Sequence, residues 1–372
     1  MIPVFKPLLN ELEKEAASEV LDVGWLGMGK YVGEFEKKLA QYIGLTDRYV
    51  VALSTGHAAL HLGLKLMGVS EGDEVITPSF NNIADFQAIR ACGAEPVFCD
   101  IDEDTLCIDV DKAEALITTK TKAIIAMDYD CLLCDHDALQ ALASRYGIRV
   151  FHDAAHSIGS KYKSKPIGSF SDMTMFSFDP VKTFTCLDGG ALIVKSEAEV
   201  EKLHEMRLVG MTQPSATMYE NKRAWTYDVN DIGYRYHMSN MHAAIGIQQL
   251  SKHKIIETSR RELCKIYNEH LGAVDKIIVP NTNFSDVVPF LYYIRVPAAD
   301  RDQLRSHLFK NGVDNGIHWQ PGHWFSFFKD AKRGDLSVTD KIAHEILSLP
   351  MHSAMAEEDY MHVIKSIKSY FK

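Results

Sequence analysis

The chain has 372 residues, 46% hydrophobic and 24% charged, which is enough apolar content to bury a large core in two domains and too much for a disordered or fibrous protein. A formal net charge of -10 at pH 7 argues against a general nucleic-acid binder and leaves room only for a local basic pocket that takes a small anion. The N-terminal stretch MIPVFKPLLNELEKEAASEV lacks the apolar core of a signal peptide and no run is long enough to span a bilayer, so the expectation is a cytoplasmic protein with no membrane partner. The 7 cysteines are scattered and odd in number, which is no disulfide framework, and Cys131 and Cys134 form a lone CxxC without the second ligand pair that zinc requires. No metal is expected.

In chain order, helices are predicted near Glu11–Val20 and Glu34–Tyr42, separated by the glycine-broken turn GWLGMGKYVG. Apolar runs then alternate with helical patterns: YVVAL before His57–Met67, EVIT before Ile83–Ala91, EPVFCD, AIIAM before Asp137–Tyr146, then RVFHD, MTMFSF and ALIVK. That alternation predicts an α/β fold, a mostly parallel sheet with helices on both faces. After Gln249 a long polar helical pattern, Ser251–Leu271, leads into less regular strands and helices. The boundary is placed there, with a large domain over 1–249 and a smaller α+β domain over 250–372.

Two stretches carry candidate chemistry. Asp153 and Lys182 each follow a short β-like run, Arg149–His152 and Met173–Phe178, so both can project from the sheet edge where open α/β sheets place ligands. A lysine amine that forms a Schiff base, with a carboxylate that keeps a pyridine nitrogen protonated, is what pyridoxal phosphate requires. The plain alternative makes Asp153 a helix N-cap and Lys182 a solvated loop residue. Upstream, Tyr49–Leu53 runs through Ser54, Thr55 and Gly56 into a helix near His57, which leaves free N–H groups and a positive helix end to cradle a phosphate; a capping turn has the same local sequence.

The ordered blocks STGHAALHLGL, GDEVITPSF, GAEPVFCDID, TKAIIAM, HDAAHSIGS, FSFDPVK, LDGGALIV and YRYHMSNMHAAIGIQQL resemble the sugar aminotransferases of the DegT/DnrJ/EryC1/StrS family over nearly the whole chain. The resemblance implies the aspartate-aminotransferase-like fold of pyridoxal-phosphate enzymes, fold type I, in a homodimer with shared active sites. It also implies transamination of a nucleotide-linked keto sugar with glutamate as donor, the cofactor passing through its pyridoxamine 5'-phosphate form. Carried over by position, Lys182 matches the Schiff-base lysine, Asp153 the pyridinium partner and Ser177 the phosphate-binding serine. Gly56 and His57 match the cradle amides. His156 falls where relatives carry a glutamine near the cofactor's ring hydroxyl.

Four further places depart from the commoner family pattern. Arg235 replaces an asparagine that reaches a phosphate across the dimer, a role a guanidinium fills well, and His237 replaces an arginine; an interface ion pair is the alternative for Arg235. Asn82 stands where many relatives carry an aromatic ring, with Phe80 or Phe86 as possible substitutes. Asp179 either holds Lys182 or caps a turn. In the late segment GIHWQPGHWF, family position makes His318 and His323 candidates for substrate contact and core packing is the other reading, while Trp225 and Tyr227 are read first as packing residues.

Lysine at 182 disfavours the sister group that dehydrates sugars with a histidine there. The combination of FDPVK, YRYHMSN and GIHWQPGHWF is most similar to enzymes that form dTDP-4-amino-4,6-dideoxyglucose. Amination at C-3 of a dTDP-3-keto-6-deoxyhexose is the alternative. A non-catalytic pyridoxal-phosphate sensor is a reading of another class, and a nicotinamide dehydrogenase is weakened by the missing GxGxxG turn.

Overall fold

The computed structural model describes residues 1–212, 215–223 and 225–372. In it the strands are β1 Tyr49–Leu53, β2 Glu74–Pro78, β3 Glu95–Cys99, β4 Thr121–Met127, β5 Arg149–Asp153, β6 Lys161–Tyr162, β7 Lys165–Pro166, β8 Met173–Ser177, β9 Gly190–Val194, β10 Tyr292–Arg295 and β11 Ile346–Leu349. The main sheet has 7 strands in the order β1-β9-β8-β5-β4-β2-β3. Strands β2 to β5 and β8 run parallel, and β9 is antiparallel to both its neighbours. Every residue of β2, β8 and β9 is buried, as expected of strands covered by helices on both faces.

The register brings the ends of β1, β5 and β8 to one edge. Asp153 pairs with Met127 of β4 and with Met175 of β8, while Gly190 pairs with both Leu53 and Ser177. The residues that leave β1, β5 and β8 therefore converge above the same strip of sheet.

On the β1 side, the helix Glu11–Val23 starts with a capping box at Asn10 and Glu13 and stops at Gly24, whose φ is 73°, the left-handed conformation glycine adopts without penalty. It packs with Lys30–Ile43 and Asn240–Ser251 over β1 and β9. Gly246 sets that closeness, because a methyl group there would stand 2.7 Å from the Phe35 ring.

The chain breaks helix at Lys252 and continues as His253–Leu271 into the C-terminal part. There β10 and β11 form an antiparallel pair packed with the helices Ala298–Lys310, Ser337–Glu345 and Glu357–Tyr370. A single apolar cluster joins Ile76, Val97 and Ile124 of the sheet to Leu263, Tyr292, Ile346 and Val363. The second part is therefore continuous with the core of the first. Among the described residues no helix is long and apolar enough to cross a membrane.

Candidate active site

Asp153 closes β5 and is 4% exposed. Its carboxylate accepts a hydrogen bond from the Ala155 N–H at 2.9 Å. Burial pushes its pKa up, while the Ala155 N–H, Lys182 and Asp85 pull it down.

Lys182 lies in the loop after β8, in a turn closed by its own N–H to the Asp179 carbonyl at 3.0 Å. The Asp179 carboxylate accepts from the Val181 N–H at 3.0 Å, so this residue caps the turn while its charge still faces Lys182. The Lys182 residue is partly exposed, yet its amine is surrounded by protein and sits 4.3 Å above the centre of the Phe290 ring. Desolvation lowers its pKa to about 8 against the opposing pull of Asp153, Asp179 and Asp85. At neutral pH roughly a tenth of such an amine is unprotonated, far more than for an ordinary lysine.

A hydrogen-bonded layer lies behind Asp153. The Asp128 N–H donates to the Asp153 carbonyl at 3.2 Å. The Asp128 carboxylate meets His136 Nε2 at 3.0 Å and His152 Nε2 at 2.7 Å, and accepts from Ser157 Oγ at 2.6 Å and the Cys134 N–H at 3.0 Å. Burial would raise this carboxylate's pKa, but the two imidazoles hold it well below the usual range. These separations are those of hydrogen bonds; two ligands on one zinc ion at about 2.0–2.1 Å would stand roughly 3.3 Å apart.

His156 is buried between the Phe290 and Trp319 rings, at 4.4 Å and 5.9 Å between centroids. Its Nδ1 accepts from the Asp130 N–H at 3.3 Å. That contact assigns the ring proton of the neutral imidazole to Nε2. Burial, with Lys182 and His318 adding to it, keeps the imidazole pKa well below its usual value. Asp130 has a left-handed φ of 57°, and its carboxylate accepts from the Leu291 N–H. Arg260 in turn donates to the Pro289 and Phe290 carbonyls at 3.2 and 3.0 Å. The ring that underlies Lys182 is thus held from two sides.

At the other end of the strip, Thr55 caps the helix Gly56–Leu66 by accepting from the Ala58 N–H at 2.9 Å. The helix start is pressed against the end of β8. A methyl group at Gly56 would stand 2.8 Å from both Cβ and Oγ of Ser177, and one at Gly190 would stand 2.2 Å from the Thr55 carbonyl oxygen. Only glycine at both places lets the helix N-terminus and the Ser177 hydroxyl come this close, which sets backbone N–H groups and a hydroxyl side by side. His57 is half-buried, with a pKa lowered by that burial.

Arg235 and His237 lie on a segment that runs alongside the end of β1: Leu53 is bridged to His237, and the Ser54 N–H donates to the Tyr236 carbonyl at 2.7 Å. Arg235 itself is exposed. The histidines of the late segment part company. His318 is close enough to Lys182 for the ammonium to help lower its pKa, after burial, to about 4, and its Nδ1 meets Ser348 Oγ at 2.8 Å. The ring nitrogens of His323 are both taken within the protein, by Ser79 Oγ at 2.8 Å and by Asp340 at 3.1 Å. Trp225 and Tyr227, read from the sequence as packing residues, are instead 91% and 52% exposed.

Asn82 caps the helix Ile83–Ala91 by accepting from the Ala84 N–H at 2.9 Å, a local reason for an amide at that position. Phe80 and Phe86 are fully buried in separate apolar clusters. The site also contains a residue absent from the sequence-based set, Asp85, which is fully buried beside Asp153. An acid in the first turn of a helix ordinarily reads as a solvated partner of the helix dipole, so its spacing gave no signal.

The reversed strand within a parallel sheet, and a lysine and a buried carboxylate set at the strand ends beside a helix N-terminus, define a transferase of the pyridoxal-phosphate fold type I class. The chain belongs to the DegT/DnrJ/EryC1/StrS aminotransferase family, whose profile matches residues 7–368. It is 31% identical over 380 residues to the spore coat polysaccharide biosynthesis protein SpsC of Bacillus subtilis, covering 100% of this chain and 97% of that one. Among solved structures it superposes on the aminotransferase TlmJ of Streptoalloteichus hindustanus with a TM-score of 0.91 at 30% identity, covering 100% of this chain and 98% of that one. It superposes on the sugar aminotransferase CalS13 of Micromonospora echinospora with a TM-score of 0.89 at 26% identity, covering 99% and 100%.

Proposed function

We propose that this enzyme is a pyridoxal-phosphate-dependent aminotransferase that moves an amino group from glutamate to C-4 of a nucleotide-linked 4-keto-6-deoxy sugar, with dTDP-4-keto-6-deoxyglucose as substrate. The observation that carries the reading is the buried Asp153 facing a Lys182 amine whose pKa is lowered to about 8. The bound cofactor supplies an electron-withdrawing ring and a carrier for the amino group.

The residues present fit that group. The helix start at Gly56 and the Ser177 hydroxyl, so close that a methyl group at 56 would stand 2.8 Å from Ser177, would hold the phosphate through backbone N–H groups and a hydroxyl. Asp153, held by the Ala155 N–H, takes the ring nitrogen. His156 offers its Nε2–H to the ring hydroxyl, with Nδ1 already engaged by Asp130. Lys182 Nζ would anchor the aldehyde carbon and, as a partly neutral amine, would hold and return the proton exchanged at the donor and sugar carbons. His318, beside Lys182, is the substrate-contact candidate of the late segment. The exposed Arg235 fits a homodimer in which it reaches the partner's phosphate site.

The test is the absorption spectrum of the purified protein, followed by addition of glutamate and dTDP-4-keto-6-deoxyglucose to wild type and Lys182→Ala. A yellow protein that forms the 4-amino sugar, with formation lost in the variant, supports the proposal. Amino-group uptake without conversion of this sugar overturns C-4 specificity and directs the assay to the 3-keto isomer. A cofactor whose spectrum is unmoved by glutamate identifies a sensor.

A further inference from the structure

Asp85 is the one carboxylate of the site that neither the lysine nor the cradle explains. It sits in the first turn of the helix Ile83–Ala91 with 0% exposure. Asn81 Nδ2 donates to its Oδ2 at 2.5 Å, while its Oδ1 has no donor partner. Its carboxyl group lies beside that of Asp153, the charged neighbour that acts on it most strongly. Two carboxylates cannot hydrogen-bond each other unless one carries a proton, and two buried negative charges in contact repel strongly in a poorly solvated site.

The partners decide which oxygen holds the proton. Asp153 has the Ala155 N–H at 2.9 Å and the nearby Lys182 charge to stabilise an anion. Asp85 has a single amide N–H, an orphaned oxygen and, last among its influences, the same Lys182 charge. We infer that Asp85 is a neutral acid that donates its proton from Oδ1 to the Asp153 carboxylate, making it a positioning residue that keeps Asp153 ionised and aimed before any ring nitrogen arrives. An orphaned acceptor thereby becomes a satisfied donor. Burial raises both carboxyl groups, but Asp153 adds to the rise of Asp85, well above the usual carboxylate range, while Asp85 opposes the rise of Asp153.

The groups that face Asp85 are Asp153 from β5, Lys182 from the loop after β8 and Asn81 from its own loop. His57 contacts the adjacent Ala84 backbone, Asp128 acts on Asp153, and Asp179 acts on Lys182. The proton assignment concerns the protein alone; only the benefit to a ring nitrogen rests on the cofactor reading above.

The experiment is thermal unfolding of the cofactor-free protein from pH 5 to pH 8, comparing wild type with Asp85→Asn, whose amide donates in the same place and does not titrate. Folded Asp85 keeps a proton that the unfolded chain has released above about pH 4, so its presence costs stability that grows as pH rises, up to its folded pKa. The Tm of wild type is expected to fall relative to the variant by about 5 °C over this range. Parallel curves, or a wild-type Tm that rises relative to the variant as pH rises, overturn the assignment. If Asp85→Asn does not fold, Asp85→Ser removes the same titration and the slope is read in its place.

A second readout separates this from failure of the functional proposal. In a pyridoxal phosphate titration, Asp85→Asn is expected to bind within about 3-fold of wild type while Asp153→Asn weakens binding at least about 10-fold. Equal weakening by the two variants makes Asp85 an ionised ligand and overturns the positioning role. No binding to wild type sinks the cofactor reading and leaves the unfolding result standing.

Discussion

The two ends of the site are built from different materials. The cradle end is made of backbone: the start of the helix Gly56–Leu66, a hydroxyl from Ser177, and two glycines that admit no side chain. The ring end is made of buried charge: Asp153 beside Asp85, the Lys182 amine near enough for its charge to act on both, and Asp128 with two histidines behind them. Shape errors damage the first and proton placement governs the second. Substitutions at each end are therefore expected to fail in distinguishable ways.

Removing the amine carries the largest expected effect. Lys182→Ala should lower turnover about 10,000-fold or more while the protein still folds, because the covalent anchor and proton carrier proposed above are both lost; amino-sugar formation by mass spectrometry checks this. In wild-type cofactor-free protein, selective acylation of Lys182 should reach half its limiting rate near pH 8, as expected from its lowered pKa, and a midpoint near that of ordinary lysines would remove desolvation from the account.

Asp153→Asn tests the charge end next. It should cut kcat about 100-fold and weaken the cofactor while leaving the phosphate contact intact. At the cradle, Gly56→Ala places a methyl 2.8 Å from the Ser177 side chain. The expected result is cofactor binding weakened about 10-fold with kcat at saturation within about 3-fold of wild type; a kcat loss as large as that of Asp153→Asn would erase the distinction between the two ends.

The smallest effect belongs to the late segment. His323, tied to Ser79 and Asp340, should on change to Ala cost about 1 kcal/mol of stability and leave KM for the sugar unchanged. His318→Gln, beside Lys182, is expected to raise that KM about 5-fold, and the contrast is read from denaturant curves and kinetics run side by side.

How much of this could be read in the sequence follows the same division. The alternating apolar runs gave the sheet and its helical cover because buried strands and amphipathic helices leave local periodicities. The reversal of β9 left none, since a buried antiparallel strand and a buried parallel one share the same apolar run. Asp153 and Lys182 could be expected at the sheet edge because each stands at the end of a recognisable β-like run, Gly56 because it opens a helix just after one, and Ser177 through the resemblance alone. Asp85, Asp128 and Asp130 were not, because their character comes from partners on distant segments. His323 shows the converse: its sequence neighbours suggest the site, while its hydrogen bonds lead to Asp340.

The ring beneath the reactive lysine has a consequence for how this catalyst is put together. Phe290 lies just before β10 in the C-terminal part, is held through Arg260 and through Leu291 on Asp130, and stacks on Phe5 of the N-terminal arm at 5.6 Å. Lys182, in contrast, hangs from the sheet. Its environment is thus a property of the assembled chain: residues 1–249 carry the lysine and the aspartate, and the C-terminal part supplies a ring that covers the amine.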